Sequence, residues 1–199
     1  MSQEDRARWD ARWSERAQPA PPEAFVSAQA LAGPGRALDL AGGNGRHALW
    51  LAARGFETTL ADVSPVALER ALAAAAARGV ELTVRELDTD AIDAGEAAFP
   101  AGPWDVIVCH HFLWRPLFAH AAATLSPDGV LLFAQPTQRN LERHPRPSAR
   151  FLLPEGALRA WVEPHLQVLS LDEGWQANGR HEAQLVAGRG ANQGKDPPA

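Results

Sequence analysis

The chain of 199 residues holds one cysteine, one lysine and no tyrosine. A lone thiol, Cys109, excludes an internal disulfide and a thiolate metal cluster. No apolar run approaches the ~18 residues of a membrane helix, so no membrane span is expected. Residues 1–16 are polar and charged and lack the apolar core of a secretory leader, which makes a cytoplasmic location the default expectation. An excess of positive charge is also missing. The net charge is −5 and the pI near 5.8, a balance that argues against broad attraction to nucleic acid or membrane. The seven histidines fall in no metal-ligand spacing, so no metal is expected.

Seven Trp and seven Phe, within a hydrophobic fraction of 46%, can build a real core, and the length suits one domain. Glu4 to Arg16 reads as a helix with Trp9 and Trp13 on one face. A second short helix is expected from Glu23 to Leu31. Residues 1–35 thus form an N-terminal helical cap segment, 36–189 the main domain and 190–199 a frayed tail that carries Lys195.

The main domain alternates. Strands are expected at Arg36–Leu40, Glu57–Asp62, Val80–Glu86, Asp105–His110 and Val130–Gln135. Helices are expected at Arg46–Arg54, from Ser64-Pro65 to Arg78 with Ser64 as N-cap, at Phe112–Leu125 with a break near Pro116, and at Pro154–Val162. Asp88–Pro103 reads as loop and Ser126–Gly129 as a turn. His165–Leu171 and His181–Arg189 have no helix between them and should pair antiparallel. The fold class is therefore α/β: a doubly wound, mostly parallel seven-stranded sheet, Rossmann-like, ending in an antiparallel hairpin.

The loop after the first strand is Asp39-Leu40-Ala41-Gly42-Gly43-Asn44-Gly45. Gly43-x-Gly45-x-x-Ala48 fits a dinucleotide fingerprint, with Asp62 about 20 residues on. Asp39 bears on the choice of ligand, the alternative being that it only bonds nearby backbone amides. A carboxylate at the end of an apolar strand needs compensation. A cofactor with a positive amino group supplies it and a pyrophosphate does not.

The segment Ala37-Leu38-Asp39-Leu40-Ala41-Gly42-Gly43-Asn44-Gly45-Arg46 resembles the first motif of class I S-adenosylmethionine-dependent methyltransferases, most of all the small bacterial group with tellurite-resistance-type and thiopurine-type enzymes. The family usually has glycine at Ala41. The resemblance implies S-adenosylmethionine as cofactor. Asp39 would serve its amino group, and the loop Ala41, Gly42, Gly43, Asn44 and Gly45 its methionine tail. In Leu60-Ala61-Asp62-Val63-Ser64 the acid Asp62 would hold the ribose hydroxyls, with Val63 beside it. In Arg85-Glu86-Leu87-Asp88, Glu86 and Leu87 would contact adenine, with Asp88 as alternative to Glu86. In Val106-Ile107-Val108-Cys109-His110-His111-Phe112-Leu113 the resemblance would put the end of the fourth strand, with Cys109 and His110, and the His111 that follows it beside the sulfonium.

Methyl transfer is an in-line displacement, and the protein mainly aligns donor and acceptor. If a base is needed, histidine titrates in the right range. Neighbours on a strand face opposite ways, so one of the two histidines should reach the site, and His110 is the candidate. Cys109, inside an apolar strand, reads as a small buried hydrophobe rather than a nucleophile. The excursion from Gln135 carries Arg139, Arg143, Arg146 and Arg150, either a site for an anionic acceptor or a solvated surface. The expected partner is a small-molecule acceptor with a sulfur, selenium, tellurium, nitrogen or oxygen nucleophile. Two rivals stand beside this reading: a nicotinamide-dependent oxidoreductase, and a non-catalytic ligand- or partner-binding protein on the same fold.

Overall fold

The structure, a computed structural model, describes residues 3–15, 18–31 and 33–190. The expected tail beyond Gly190, with Lys195, and the end of the first expected helix at Arg16 lie outside the described residues. Among the described residues seven strands form one sheet: β1 (Gly35–Leu40), β2 (Phe56–Asp62), β3 (Thr83–Glu86), β4 (Trp104–His110), β5 (Leu125–Pro136), β6 (Gln167–Trp175) and β7 (His181–Gly188). Their order is β3-β2-β1-β4-β5-β7-β6. The first five pair parallel, while β7 runs antiparallel to both β5 and β6. This is the mostly parallel sheet with a terminal hairpin that the alternation implies.

β1 explains why the functional end lies where it does. Its last four residues, Ala37 to Leu40, are buried, as strands covered on both faces are. β2 pairs on one side of it and β4 on the other, so the strand order reverses there. Connections that leave in opposite directions open a crevice at the carboxyl ends of those strands.

The covering helices are α1 (Gln3–Ser14), α2 (Ala24–Ser27), α3 (Arg46–Ala52), α4 (Pro65–Arg78), α5 (Thr89–Asp93), α6 (Leu117–Thr124) and α7 (Ala157–Val162). α4 forms as its ends dictate. Ser64 Oγ accepts from the Ala67 amide at 3.2 Å, Pro65 opens the first turn, and Gly79 closes the helix. Its buried residues Ala67, Leu68, Ala71, Ala74 and Ala75 follow the helical period and face the sheet. On the other face of the sheet, Trp104, Phe118, Phe133 and Leu185 anchor the largest core cluster.

Local boundaries differ where a side chain intervenes. The segment after Asp88 is not all loop: the Asp88 carboxylate accepts from the Asp90 amide at 3.0 Å and caps α5. α6 starts only at Leu117, because a proline at 116 is tolerated in a first turn and not inside a helix. Ser126–Gly129 is not a free turn. Leu125 pairs with Trp104, the register slips before Val106, and β5 runs through. β6 extends to Trp175, through residues expected to link the hairpin.

Ser64 joins two elements, since its hydroxyl also bonds Asp10 of α1. Ser64→Ala should cost about 1–2 kcal/mol of stability, read as a lower denaturant midpoint in equilibrium unfolding.

Candidate active site

A cavity of about 320 Å³ opens at the carboxyl ends of β1, β2 and β4. That size falls within the range of small-molecule sites, about 300–1,000 Å³. Asp39, Ala41, Gly42, Gly43 and Asn44 line its floor; Asp62, Val63 and Leu87 line one side. His110, His111 and Arg180 line the opposite end, and Trp9, Arg12 and Trp13 of α1 form the cover. Gly45, Glu86 and Cys109 are not part of the lining.

Asp39 is fully buried. One carboxylate oxygen, Oδ2, accepts from the Ala48 amide in the first turns of α3 at 2.9 Å. The other, Oδ1, has no hydrogen-bond partner. Burial pushes its pKa up to about 7, although the Ala48 bond pulls the other way. Gly42 makes this arrangement possible: a Cβ there would collide with the Asp39 carboxylate and Leu60. Gly43 has φ +58, and a Cβ on it would run into the Trp13 ring. Gly45 serves packing instead, since a Cβ there would stand 3.1 Å from Ala71 on α4. Ala41, where the resembling family carries glycine, holds φ +53 in the left-handed region.

Asp62 ends β2 and turns both oxygens toward backbone. Oδ2 accepts from Gly43 at 2.8 Å and Oδ1 from Ser64 at 2.9 Å. Burial raises its pKa despite those bonds. Each oxygen keeps a lone pair, so the carboxylate both pins the glycine loop and borders the cavity. Glu86 is half-exposed and pairs with Arg6 of α1 at 2.8 Å. Asp88 is committed to its cap. Cys109 is sealed in the core, where burial drives its thiol pKa up, and its Sγ points to the Phe112 carbonyl at 3.5 Å.

The far end corrects the expectation that only one histidine reaches the site. β4 stops at His110, and His111 takes φ +61, so the alternation breaks and both rings line the cavity, 3.8 Å apart. His111 Nε2 lies 2.8 Å from Glu182 Oε1, and its Nδ1 lies 3.2 Å from Arg180. A carboxylate only accepts, so Nε2 donates and Nδ1 accepts from the guanidinium. Burial acts to raise the Glu182 pKa, but the His111 hydrogen bond and the Arg180 charge outweigh it and hold the carboxyl low. His110 Nδ1 faces Arg46 at 3.4 Å, and Arg46 pairs with Glu23 at 2.7 Å. Burial, then the neighbouring His111, drives the His110 pKa well down. His47, which sequence reasoning missed, is buried beside His110; burial first and Arg46 second lower its pKa to about 3. Glu182 was also missed. Its signal was an acid opening the apolar strand His181–Gly188.

The arginine excursion stays off the cavity. The chain turns back so that Leu153 bridges Thr137. Arg139 pairs with Glu142 and Glu155, and Arg143 stacks on Trp175. Gln135 is buried and donates to the Phe151 carbonyl at 2.6 Å. The cations that do line the cavity are Arg12, Arg46 and Arg180.

The sequence matches the profile of a methyltransferase-domain family across residues 11–179. The chain belongs to that family. An uncharacterised protein of Mycobacterium tuberculosis is 36% identical over 84 residues, which is 42% of this chain and 29% of that protein. The chain thus spans less than a third of the curated relatives it matches. The fold matches TehB of Haemophilus influenzae with a TM-score of 0.68 at 18% identity, covering 91% of this chain and 66% of that one. A TehB-like S-adenosylmethionine-dependent methyltransferase of Corynebacterium glutamicum gives 0.64 at 18% identity, covering 94% and 97%. Magnesium protoporphyrin IX methyltransferase of Synechocystis, solved with bound S-adenosylmethionine, gives 0.61 at 16%, covering 94% and 80%.

Two stability predictions follow from the loop. Ala41→Gly removes a left-handed alanine and should stabilise the chain by about 1 kcal/mol, a Tm rise of about 2–4 °C. Asp39 binds its proton more tightly folded than unfolded, so it subtracts stability as pH rises from the ordinary carboxyl value toward about 7. The cost at and above that pH is on the order of 4 kcal/mol. Asp39→Asn should therefore be more stable than wild type above neutrality, and the gap should close as the pH falls to about 4, near the ordinary carboxyl value, in unfolding curves taken across the range.

Proposed function

We propose that this chain is a methyltransferase that takes S-adenosylmethionine and transfers its methyl group to a small-molecule nucleophile. The observation that carries the reading is Asp39: a buried carboxylate with one oxygen unpaired on the floor of a cavity. An ammonium group is what such an oxygen lacks, and the cofactor's methionine end brings one. The family membership favours this over a nicotinamide cofactor.

In this reading the Ala41–Asn44 backbone lies along the methionine tail, Asp62 takes the vicinal ribose hydroxyls, and Val63 and Leu87 form apolar walls for adenine. Glu86, turned to Arg6, and the sealed Cys109 drop out of the contact set. Helix α1 acts as a cap, since Trp9 and Trp13 cover the cavity. The cofactor supplies an electrophilic methyl. The chain's own part is to orient it, exclude water and hold the acceptor at the His110–His111 end. His110, the base candidate, is kept neutral by burial and the neighbouring cations and is thereby a weak base, so its part is to face the acceptor with an unprotonated ring rather than to take its proton.

Calorimetry with S-adenosylmethionine and S-adenosylhomocysteine tests the reading. Wild type should bind both, and Asp62→Ala should lose at least tenfold. Binding should release a proton from Asp39, so affinity should rise with pH up to about 7. That release, measured in buffers of different ionisation heat, should vanish in Asp39→Asn. A folded wild type that binds neither compound would refute the reading.

A further inference from the structure

Two neighbouring histidines end β4, and extended backbone would send their rings to opposite faces. The left-handed φ of +61 at His111 prevents that. Such a conformation is costly for a residue with a β-carbon and persists only where its surroundings impose it; positions of this kind gather at functional sites. Here it produces a convergence. One ring nitrogen of His110, one of His111 and a carboxylate oxygen of Glu182 all lie within 4.8 Å of one another. Glu182 is itself fully buried, and its Oε2 has no hydrogen-bond partner. An unpaired carboxylate oxygen away from water calls for a cation or a donor.

We propose that His110, His111 and Glu182 form a binding site for a divalent transition-metal ion, of the Zn²⁺ type, at the acceptor end of the cavity. Two imidazoles and a carboxylate, without thiolate, are the donor set such ions accept. Tetrahedral ligands with bonds of about 2.0–2.1 Å stand roughly 3.3 Å apart, so side-chain movements on the order of 1 Å close the set. Three protein ligands leave a coordination position open, the pattern of a site that binds something further. Both histidines line the cavity, so that position is accessible from it.

Arg180 now stands beside the site, 3.2 Å from His111 Nδ1 and 3.9 Å from Glu182 Oε1. It leaves Oε2 unserved. A metal on His111 Nε2 moves the ring hydrogen to Nδ1, where the guanidinium cannot accept it, so Arg180 must swing away. It can: its side chain is 46% exposed at the hairpin turn. The arginine is thus a competitor whose removal strengthens the site. A bound ion would coordinate the acceptor's nucleophilic atom and lower its pKa. That role rests on the methyl-transfer reading; the metal site does not.

The test is a Co²⁺ and Zn²⁺ titration of the chelator-stripped full chain without S-adenosylmethionine, so that its outcome is independent of the cofactor reading. Wild type should bind one equivalent, with visible d–d bands for Co²⁺. His110→Ala and Glu182→Gln should each weaken binding about a hundredfold, and Arg180→Gln should tighten it about tenfold. Circular dichroism checks that each variant is folded. Should Glu182→Gln fail to fold, His110→Ala and Arg180→Gln decide. No stoichiometric binding by wild type, or binding that survives His110→Ala undiminished, overturns the proposal.

Discussion

A carboxylate buried at the end of a buried strand governs this end of the molecule. Asp39 sits among Leu38, Leu40 and Leu60, all sealed from water. It needs a donor, and the Ala48 amide, in the first turn of α3 where amides have no partner within the helix, supplies one. That bond brings the helix over the strand. The loop between them must then pass across the carboxylate, which leaves no room for a side chain at Gly42. The next carboxylate, Asp62, takes the Gly43 amide and fastens the loop to β2. Trp13 lies against the bare face of Gly43 and so ties α1 to the same structure. One side chain remains half-served at the end of this chain of consequences, and it faces a cavity.

The two ends of that cavity differ chemically because β1 and β4 are neighbours. Asp39 pairs in register with Val108, two residues before His110. Asp39 thus stands roughly 7 Å along the strand direction from His110, whereas Asp62 lies level with it across β1. The acidic end has amides and an unpaired carboxylate oxygen; the other has two rings, a buried glutamate and two arginines. A cation-bearing donor and a nucleophilic acceptor fit that division. The rigid sheet holds the two ends at a set distance, which is what an in-line transfer requires of its protein.

The architecture was legible because its signals are local. The alternation of short apolar strands and helices, the Ser64-Pro65 start of α4 and the lone acid at the end of β1 can each be read within a few residues. The boundaries that slipped did so where a distant partner overrode local signals. Leu125 became strand because Trp104 pairs with it, and Ser126–Gly129 followed. The arginine excursion could be read as an acceptor site or as a solvated surface, and a distant bridge from Leu153 to Thr137, which folds it back on itself, decides for the surface. Glu86 stood in the right slot for an adenine contact, yet Arg6 of α1 engages it from outside.

By itself the sequence determined the mostly parallel, alternating architecture with its terminal hairpin, the glycine loop with its two acids, and the family to which they belong. These depend on periods of two and 3.6 residues and on motifs that close within a single turn. Only the tertiary structure decided what surrounds the histidines. His111 and Glu182 are 71 residues apart, and they meet because β7 inserts between β5 and β6. No local pattern announces a left-handed backbone at a histidine. That conformation costs energy locally, and the bonds of His111 to the Ala134 carbonyl of β5 and to Glu182 of β7 hold it.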